Sequence, residues 1–242
     1  MFVIPMLGKS SRFFNAGYEI PKYKLPINNS DLFSLSVSSF KKYFDSDKFI
    51  FIVRKDFNDL EFLKNRINSL KIKKFKIIQY DFETRGQADS VRIAIESEDS
   101  LEELYIFNID TILFNFKKLS CTEDCAGYLE VFHGSGDHWS FVLPDKNDNQ
   151  FASMVVEKKR ISDLCSNGLY YFKTKEFFEE ALNIFINNQR DPSEELYVAP
   201  LYSELINLGF KIRYKIIDKE SIGFCGTPDE YQDFVSESKN NF

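Results

Sequence analysis

Cysteine, histidine, glycine and long apolar runs are all scarce in this chain of 242 residues. The four cysteines, Cys121, Cys125, Cys165 and Cys225, form no CxxC pair, and the two histidines, His133 and His138, stand five apart and away from most of them. That spacing does not build a zinc site. The loop after the first apolar run, LGKSSR, holds one glycine, too few for a dinucleotide fingerprint or for a Walker A loop, GxxxxGK[ST]. No stretch approaches the ~20 apolar residues that a membrane span needs. The first apolar run is too short for a signal peptide and meets Lys9 and Arg12. A cytoplasmic protein with reduced thiols and no membrane partner is expected. The net charge of −6 argues against nucleic acid, since phosphate backbones are gripped by clustered Lys and Arg. The one dense basic run, KIKKFKI at 71–77, alternates charged and apolar residues and reads as the solvated face of a strand.

Phenylalanine is plentiful, with 26 copies beside 12 tyrosines, so the core is expected to be aromatic. The length fits a single α/β domain over residues 1–242. The first half alternates buried-type apolar runs (2–6, 49–53, 75–80, 103–109) with helical periodicities. One helix carries Leu60, Leu63, Ile67 and Leu70 behind a capping Asp56; the next carries Ala88, Val91 and Ile95 after Gly86. That order means a parallel sheet with right-handed crossovers. After Asp110, CAGYLEVF, WSFVLPD, FASMVVEKK and GLYYFKT read as strands of a mixed or antiparallel extension. Helical patterns follow at 177–185 and 196–208, with Pro200 marking either a break or a true start and Gly209 a C-cap. A strand at 210–217 leads to a last helix with a capping box: Thr227 at N-cap, Pro228 at N1, Glu230 at N3.

A small-residue turn after a buried strand lets backbone N–H groups approach phosphate. Arg12 adds a guanidinium fork suited to that ligand, and Lys22, on the rigid Pro21, a second cation. Asp110 ends an apolar run at the edge where α/β sheets bind ligands, and a carboxylate there suits Mg²⁺. Each residue also has a plain reading. Asp110 reads as a loop cap, Lys158 as part of the solvated run EKKR, Asn167-Gly168 as a turn, and Tyr170, Phe172 and Trp139 as core.

Six short motifs in order, PMLGKSSRF…PKYKLPI, QYDFETRGQA, NID, VVEKKRIS, SNGLYYF and GTPDEY, together resemble the sugar-phosphate nucleotidyltransferase family, also called nucleoside-diphosphate-sugar pyrophosphorylases. The resemblance spans nearly the whole chain. It implies a three-layer, Rossmann-like α/β fold with a mixed, mostly parallel central sheet. It also implies transfer of NMP from an NTP to a phosphorylated small molecule, with release of pyrophosphate, for capsular or other surface polysaccharide. By the same resemblance, Leu7, Gly8, Ser10, Ser11, Gln79 and Gly86 contact the nucleotide. Arg12, Lys22, Asp110 and Lys158 are catalytic, Asp110 as the Mg²⁺ ligand, and Glu157, Lys158, Asn167 and Gly168 take the second substrate. Two positions depart from the family pattern: Ser10 replaces a loop glycine, and Phe224 stands where an acidic metal ligand is usual, so the second ligand is either elsewhere, with Asp218 or Glu220 nearby in sequence, or absent. The base, the phosphorylated partner and self-association into a homo-oligomer stay open. A glycosyltransferase of related fold, or a nucleotide binder without turnover, are the competing classes.

Overall fold

The computed structural model describes residues 1–120, 124–189, 191 and 193–240, and Cys121 lies outside them. The chain opens with β1 (Phe2–Met6), α1 (Ser11–Asn15), β2 (Pro26–Ile27), β3 (Ser30–Asp31), α2 (Leu32–Ser38), β4 (Lys48–Arg54), α3 (Leu60–Leu70), β5 (Lys74–Tyr80) and α4 (Gln87–Ile95). It continues with β6 (Leu104–Phe107), β7 (Thr111–Leu113), β8 (Gly127–His133), β9 (Ser140–Pro144), β10 (Ala152–Glu157) and β11 (Leu164–Phe172). The last elements are α5 (Lys175–Asn188), α6 (Leu201–Asn207), β12 (Ile212–Ile216), β13 (Ile222–Phe224) and α7 (Pro228–Asn240). This is the expected mixed α/β fold.

Two compact units divide the chain. The first comprises Met1–Val3, Glu83–Phe107 and Lys118–Lys219; the second comprises Ile4–Phe82, Asn108–Lys117 and the residues from Glu220 onward. In the first, the strand order is β10-β9-β11-β6-β1, with β8 on β11 and β12 on β8. Phe2 pairs with Tyr105 in a parallel ladder, and Ile212 with Gly127 in another. β11 is antiparallel to β6, β8 and β9, which is the mixed extension read from the later apolar runs. Every residue of β11 is buried, as a strand covered on both faces must be. Phe172 stacks flat on Tyr202 of α6 at 4.5 Å, and the Tyr202 hydroxyl donates to the Tyr171 carbonyl.

In the second unit β4 and β5 run parallel, with Val53 opposite Gln79. Only part of the run at 71–77 lies on a half-solvated strand: Lys71 caps the end of α3, β5 starts at Lys74, and Lys74 and Phe75 are exposed on it. β7 and β13 pair antiparallel, with Thr111 opposite Phe224. Beneath them Phe13, Leu25, Ile27, Leu32, Ile112, Cys225 and Tyr231 form one apolar cluster. That cluster gathers four sequence-distant segments.

Three local expectations need correction. Asp56 does not cap α3; it pairs with Arg54, and Asp59 takes the N-cap position. The Asp59 side chain makes no cap bond, because Tyr23 and Lys24 both donate to it at 2.5 Å. The helix expected from 196 begins at Leu201, with Pro200 before it, so the proline marks a true start. α2 was not anticipated; Asp31 caps it by accepting from the Ser34 N–H at 2.8 Å. The capping box of α7 is formed as read, Thr227 and Glu230 each accepting from the other's N–H. No helix among the described residues is long and apolar enough to cross a membrane.

Candidate active site

In the second unit, β1 gives way to the loop holding Leu7, Gly8 and Ser10, and α1 starts at Ser11. Ser10 has φ 53°, the left-handed region that favours glycine. This explains why a glycine is usual there, and what the serine does instead. Its hydroxyl accepts from the Lys22 N–H at 3.2 Å, tying the loop to the turn that carries the second cation. Tyr23 and Lys24 anchor that turn on the buried carboxylate of Asp59. Phe13, buried in the apolar cluster, fixes α1 while its neighbour Arg12 stays exposed. The Arg12 guanidinium has no ion-pair partner among the described residues.

Asp110 lies in the turn between β6 and β7, three residues beyond the end of β6. Lys22 Nζ sits 2.5 Å from its Oδ2, and both side chains are about a fifth exposed, 23% and 21%. The Asp110 carbonyl accepts from Cys225 N–H at 2.8 Å, so the CGTP segment lies alongside NID. Burial first, then the nearby Asp110 charge, push the Cys225 thiol up to about 12, so it stays protonated and inert. Phe224 pairs with Thr111, beside Asp110, and offers no ligand. An acid outside the two proposed replacements approaches Asp110. That acid is Glu230, since a Cβ on Gly226 would lie 3.2 Å from Glu230 Oε2 and 3.3 Å from Asp110 Oδ2. Glu230 Oε2 is already accepting from the Gly226 and Thr227 N–H groups. Among the described residues no three His, Cys, Asp or Glu side chains gather as a metal cluster. Gln79 is exposed near the end of β5.

The first unit holds the remaining candidates. Gly86 precedes α4 at φ 143°, and a Cβ there would come within 2.7 and 2.8 Å of the Leu196 backbone. Glycine is required by that approach. Leu196 N–H donates to Arg85 O, and Leu196 O accepts from Ala88 N–H, so the turn and the 195–197 segment are stitched together. Tyr197, next in line, accepts from Lys158 Nζ at 2.5 Å and donates to Glu195. The Lys158 ammonium also lies 4.3 Å over the Tyr197 ring. Lys158 follows β10 with φ 52°, a left-handed non-glycine residue, and its N–H donates to Trp139 O at 2.9 Å. Trp139 itself packs edge-on to Phe132.

Glu157, before it, is half-buried, and burial raises its carboxyl above the ordinary range, against a hydrogen bond from Ser140 that favours the charged form. Ser140 in turn meets the Tyr170 hydroxyl at 3.2 Å. Asn167 and Gly168 are not a turn but a bulge inside β11, where the register against β8 shifts between Ser166 and Tyr170. Gly168 takes φ 88° there. Asn167 is 1% exposed. Its Oδ1 accepts from Leu169 N–H and its Nδ2 donates to the buried Glu130, which also receives Lys215. Burial raises the Glu130 carboxyl, opposed by Lys215. Ser140, Tyr170, Glu195 and Tyr197 were not singled out as site residues by the sequence; Tyr170 was read as core, which its 4% exposure bears out.

The chain is 43% identical to a nucleoside-diphosphate-sugar pyrophosphorylase from Vibrio cholerae RC9, over 98% of this chain and 100% of that one, with a TM-score of 0.92. An inositol-1-phosphate CTP transferase from T. maritima shares the fold at 13% identity and TM-score 0.75, covering 98% and 95%. So does a UDP-glucose pyrophosphorylase complexed with UDP-glucose, at 14% identity and TM-score 0.75, covering 100% and 98%. No protein-family model and no curated protein matches the chain.

Proposed function

The chain belongs to the sugar-phosphate nucleotidyltransferase family, and on that premise we propose that it joins NMP from an NTP to a phosphorylated small molecule and releases pyrophosphate. The observation that carries this reading is the Lys22–Asp110 pair, 2.5 Å apart, beside a loop whose Arg12 has no partner among the described residues. A substrate with three phosphates and a metal offers each of those groups a partner.

A phosphate oxygen of the second substrate attacks the α-phosphorus in line. The new O–P bond forms as the bond from the α-phosphorus to the bridging oxygen of the β-phosphate breaks, and pyrophosphate leaves with that oxygen. A phosphate oxygen is already ionised at neutral pH, so no general base is needed. The barrier lies in bringing two anions together, which fixed cations lower. Arg12 and Lys22 neutralise the triphosphate, and the loop of Leu7, Gly8, Ser10 and Ser11 supplies N–H groups to it. Gln79 and the Gly86 turn serve the base. Lys158 takes the phosphate of the second substrate, Glu157 accepts from its hydroxyl, and the Asn167-Gly168 bulge shapes the strand beneath. The whole chain then works as one nucleotidyltransferase domain.

One half-buried carboxylate fits Mg²⁺ that takes most of its ligands from phosphate and water; it does not fit a permanently bound metal. Asp110 would hold the ion jointly with the nucleotide, where it supplies charge neutralisation. Synthesis of a capsule or other surface polysaccharide is the use we propose for the product. The test is a screen of ATP, CTP, GTP, UTP and deoxy-TTP against glucose 1-phosphate, inositol 1-phosphate and other phosphorylated metabolites, read as pyrophosphate. Release of a nucleoside diphosphate instead would mean a glycosyltransferase, and binding without release a non-catalytic relative.

A further inference from the structure

Glu157 ends β10 and Ser140 begins β9, and the two residues stand opposite each other in the antiparallel ladder. The Ser140 hydroxyl donates to Glu157 Oε2. Its oxygen also lies 3.2 Å from the Tyr170 hydroxyl on β11. A serine has one proton to give. With that proton on the carboxylate, Tyr170 must donate in the second bond. Donation therefore runs one way, from Tyr170 to Ser140 to Glu157. Ser140 and Tyr170 are 7% and 4% exposed, so the chain of hydroxyls is closed to solvent. Glu157 is half-buried, and its Oε1 has no hydrogen-bond partner among the described residues.

A carboxylate with one oxygen tied is fixed in orientation and turns the lone pairs of the other toward a ligand donor. The adjacent Lys158, held by Tyr197, is the cation assigned above to the phosphate of the second substrate. We propose, resting on the reading of Glu157 and Lys158 as the second-substrate pair, that Ser140 and Tyr170 are positioning residues that lock one oxygen of Glu157. The other oxygen then selects one hydroxyl of a hydroxyl-bearing phosphate monoester.

Three groups bear on the Glu157 charge: Ser140 and Lys158 favour it, and Glu195 opposes it, while burial is the largest effect and disfavours it. Removing the Ser140 hydroxyl takes away a group that stabilises the ionised form, so the midpoint must rise. The first measurement is a carbon-13 NMR titration of the Glu157 carboxyl in the ligand-free protein, assigned by its loss in Glu157→Gln. Ser140→Ala is expected to move the midpoint upward and Ser140→Thr to leave it in place. Tyr170→Phe, which removes the donor behind Ser140, gives a smaller shift of the same sign and serves if Ser140→Ala does not fold.

The second measurement is the KM for glucose 1-phosphate, or for inositol 1-phosphate if that is the productive partner, and for analogues lacking one hydroxyl each. The wild type is expected to lose about tenfold in kcat/KM with one analogue only, the scale of a hydrogen bond to a charged group. Ser140→Ala should erase that discrimination without altering the KM of the NTP. An unmoved midpoint overturns the hydroxyl chain whatever the substrate. A moved midpoint with discrimination intact overturns its positioning role. Absence of pyrophosphate from every pair, with the midpoint moved, places the fault in the nucleotidyltransferase reading, and the proposal falls with it.

Discussion

The two candidate regions hold their charged groups in opposite ways. In the second unit the two site cations are engaged singly or not at all: the exposed Arg12 guanidinium has no ion-pair partner among the described residues, and Lys22 rests on one carboxylate. In the first unit nearly every polar group is already held by another, in the sets Tyr170–Ser140–Glu157, Lys158–Tyr197–Glu195 and Lys215–Glu130–Asn167. Both regions keep a non-glycine residue left-handed, Ser10 in one and Lys158 in the other. The contrast suits two kinds of ligand. A triphosphate brings charge enough to reorganise flexible cations. A small phosphorylated molecule must be told from its isomers, and fixed hydroxyls and carboxylates do that because they pay no reorganisation on binding.

The contrast breaks most visibly at Asp110. Asp110→Asn is expected to abolish pyrophosphate release, and full activity in that variant, or in excess chelator, removes the metal from the mechanism. Arg12→Ala and Lys22→Ala should each lower kcat by roughly 10²–10³, the scale of losing one transition-state donor. Steady-state kinetics at saturating NTP read this, and a wild-type rate in either folded variant denies the residue its role.

In the other region the effect should fall on binding. Lys158→Ala is expected to raise the KM of the phosphorylated partner about tenfold while the KM of the NTP holds. A change confined to the NTP would reverse the two assignments. Glu157 sharpens the same point through pH. Its carboxyl lies above the ordinary range, and its ionised form is the stronger acceptor for a hydroxyl. The KM of the second substrate should therefore climb as pH falls through that raised midpoint, sooner than an ordinary glutamate would allow. Glu157→Gln should flatten the limb, and a limb that persists in that variant belongs to another group.

The smallest effect is at Ser10. Glycine relieves the left-handed strain that alanine keeps, and neither retains the bond to Lys22 N–H. Ser10→Gly should then be more stable than Ser10→Ala by about 1 kcal/mol in urea unfolding. Equal stabilities would show that the surrounding loop relaxes.

The strands and long helices were legible because apolar period and capping chemistry are local properties of sequence: β1 and the box at Thr227 and Glu230 stand where they were read. The helix expected from 196 was misplaced for a non-local reason. Leu196 spends both backbone groups on the turn at 85–88 and has none for a helix. Asp59 likewise sits at an N-cap position but makes no cap bond, because Tyr23 and Lys24, 36 and 35 residues earlier, claim it. The contacts linking Tyr170, Ser140 and Glu157 escaped notice for the same kind of cause. Alternation tells which face of a strand is buried, and not which buried hydroxyl meets which carboxylate.

The close approach of Gly86 to Leu196 has a consequence for anyone mapping this protein by saturation mutagenesis. A side chain at 86 must push a backbone whose next residue, Tyr197, holds Lys158. Variants at 86 and 197 will therefore show epistasis, their defects summing to less than their parts, although 111 positions separate them in the sequence. A scan that scores each position alone would miss that Gly86 packs on the segment whose Tyr197 holds Lys158.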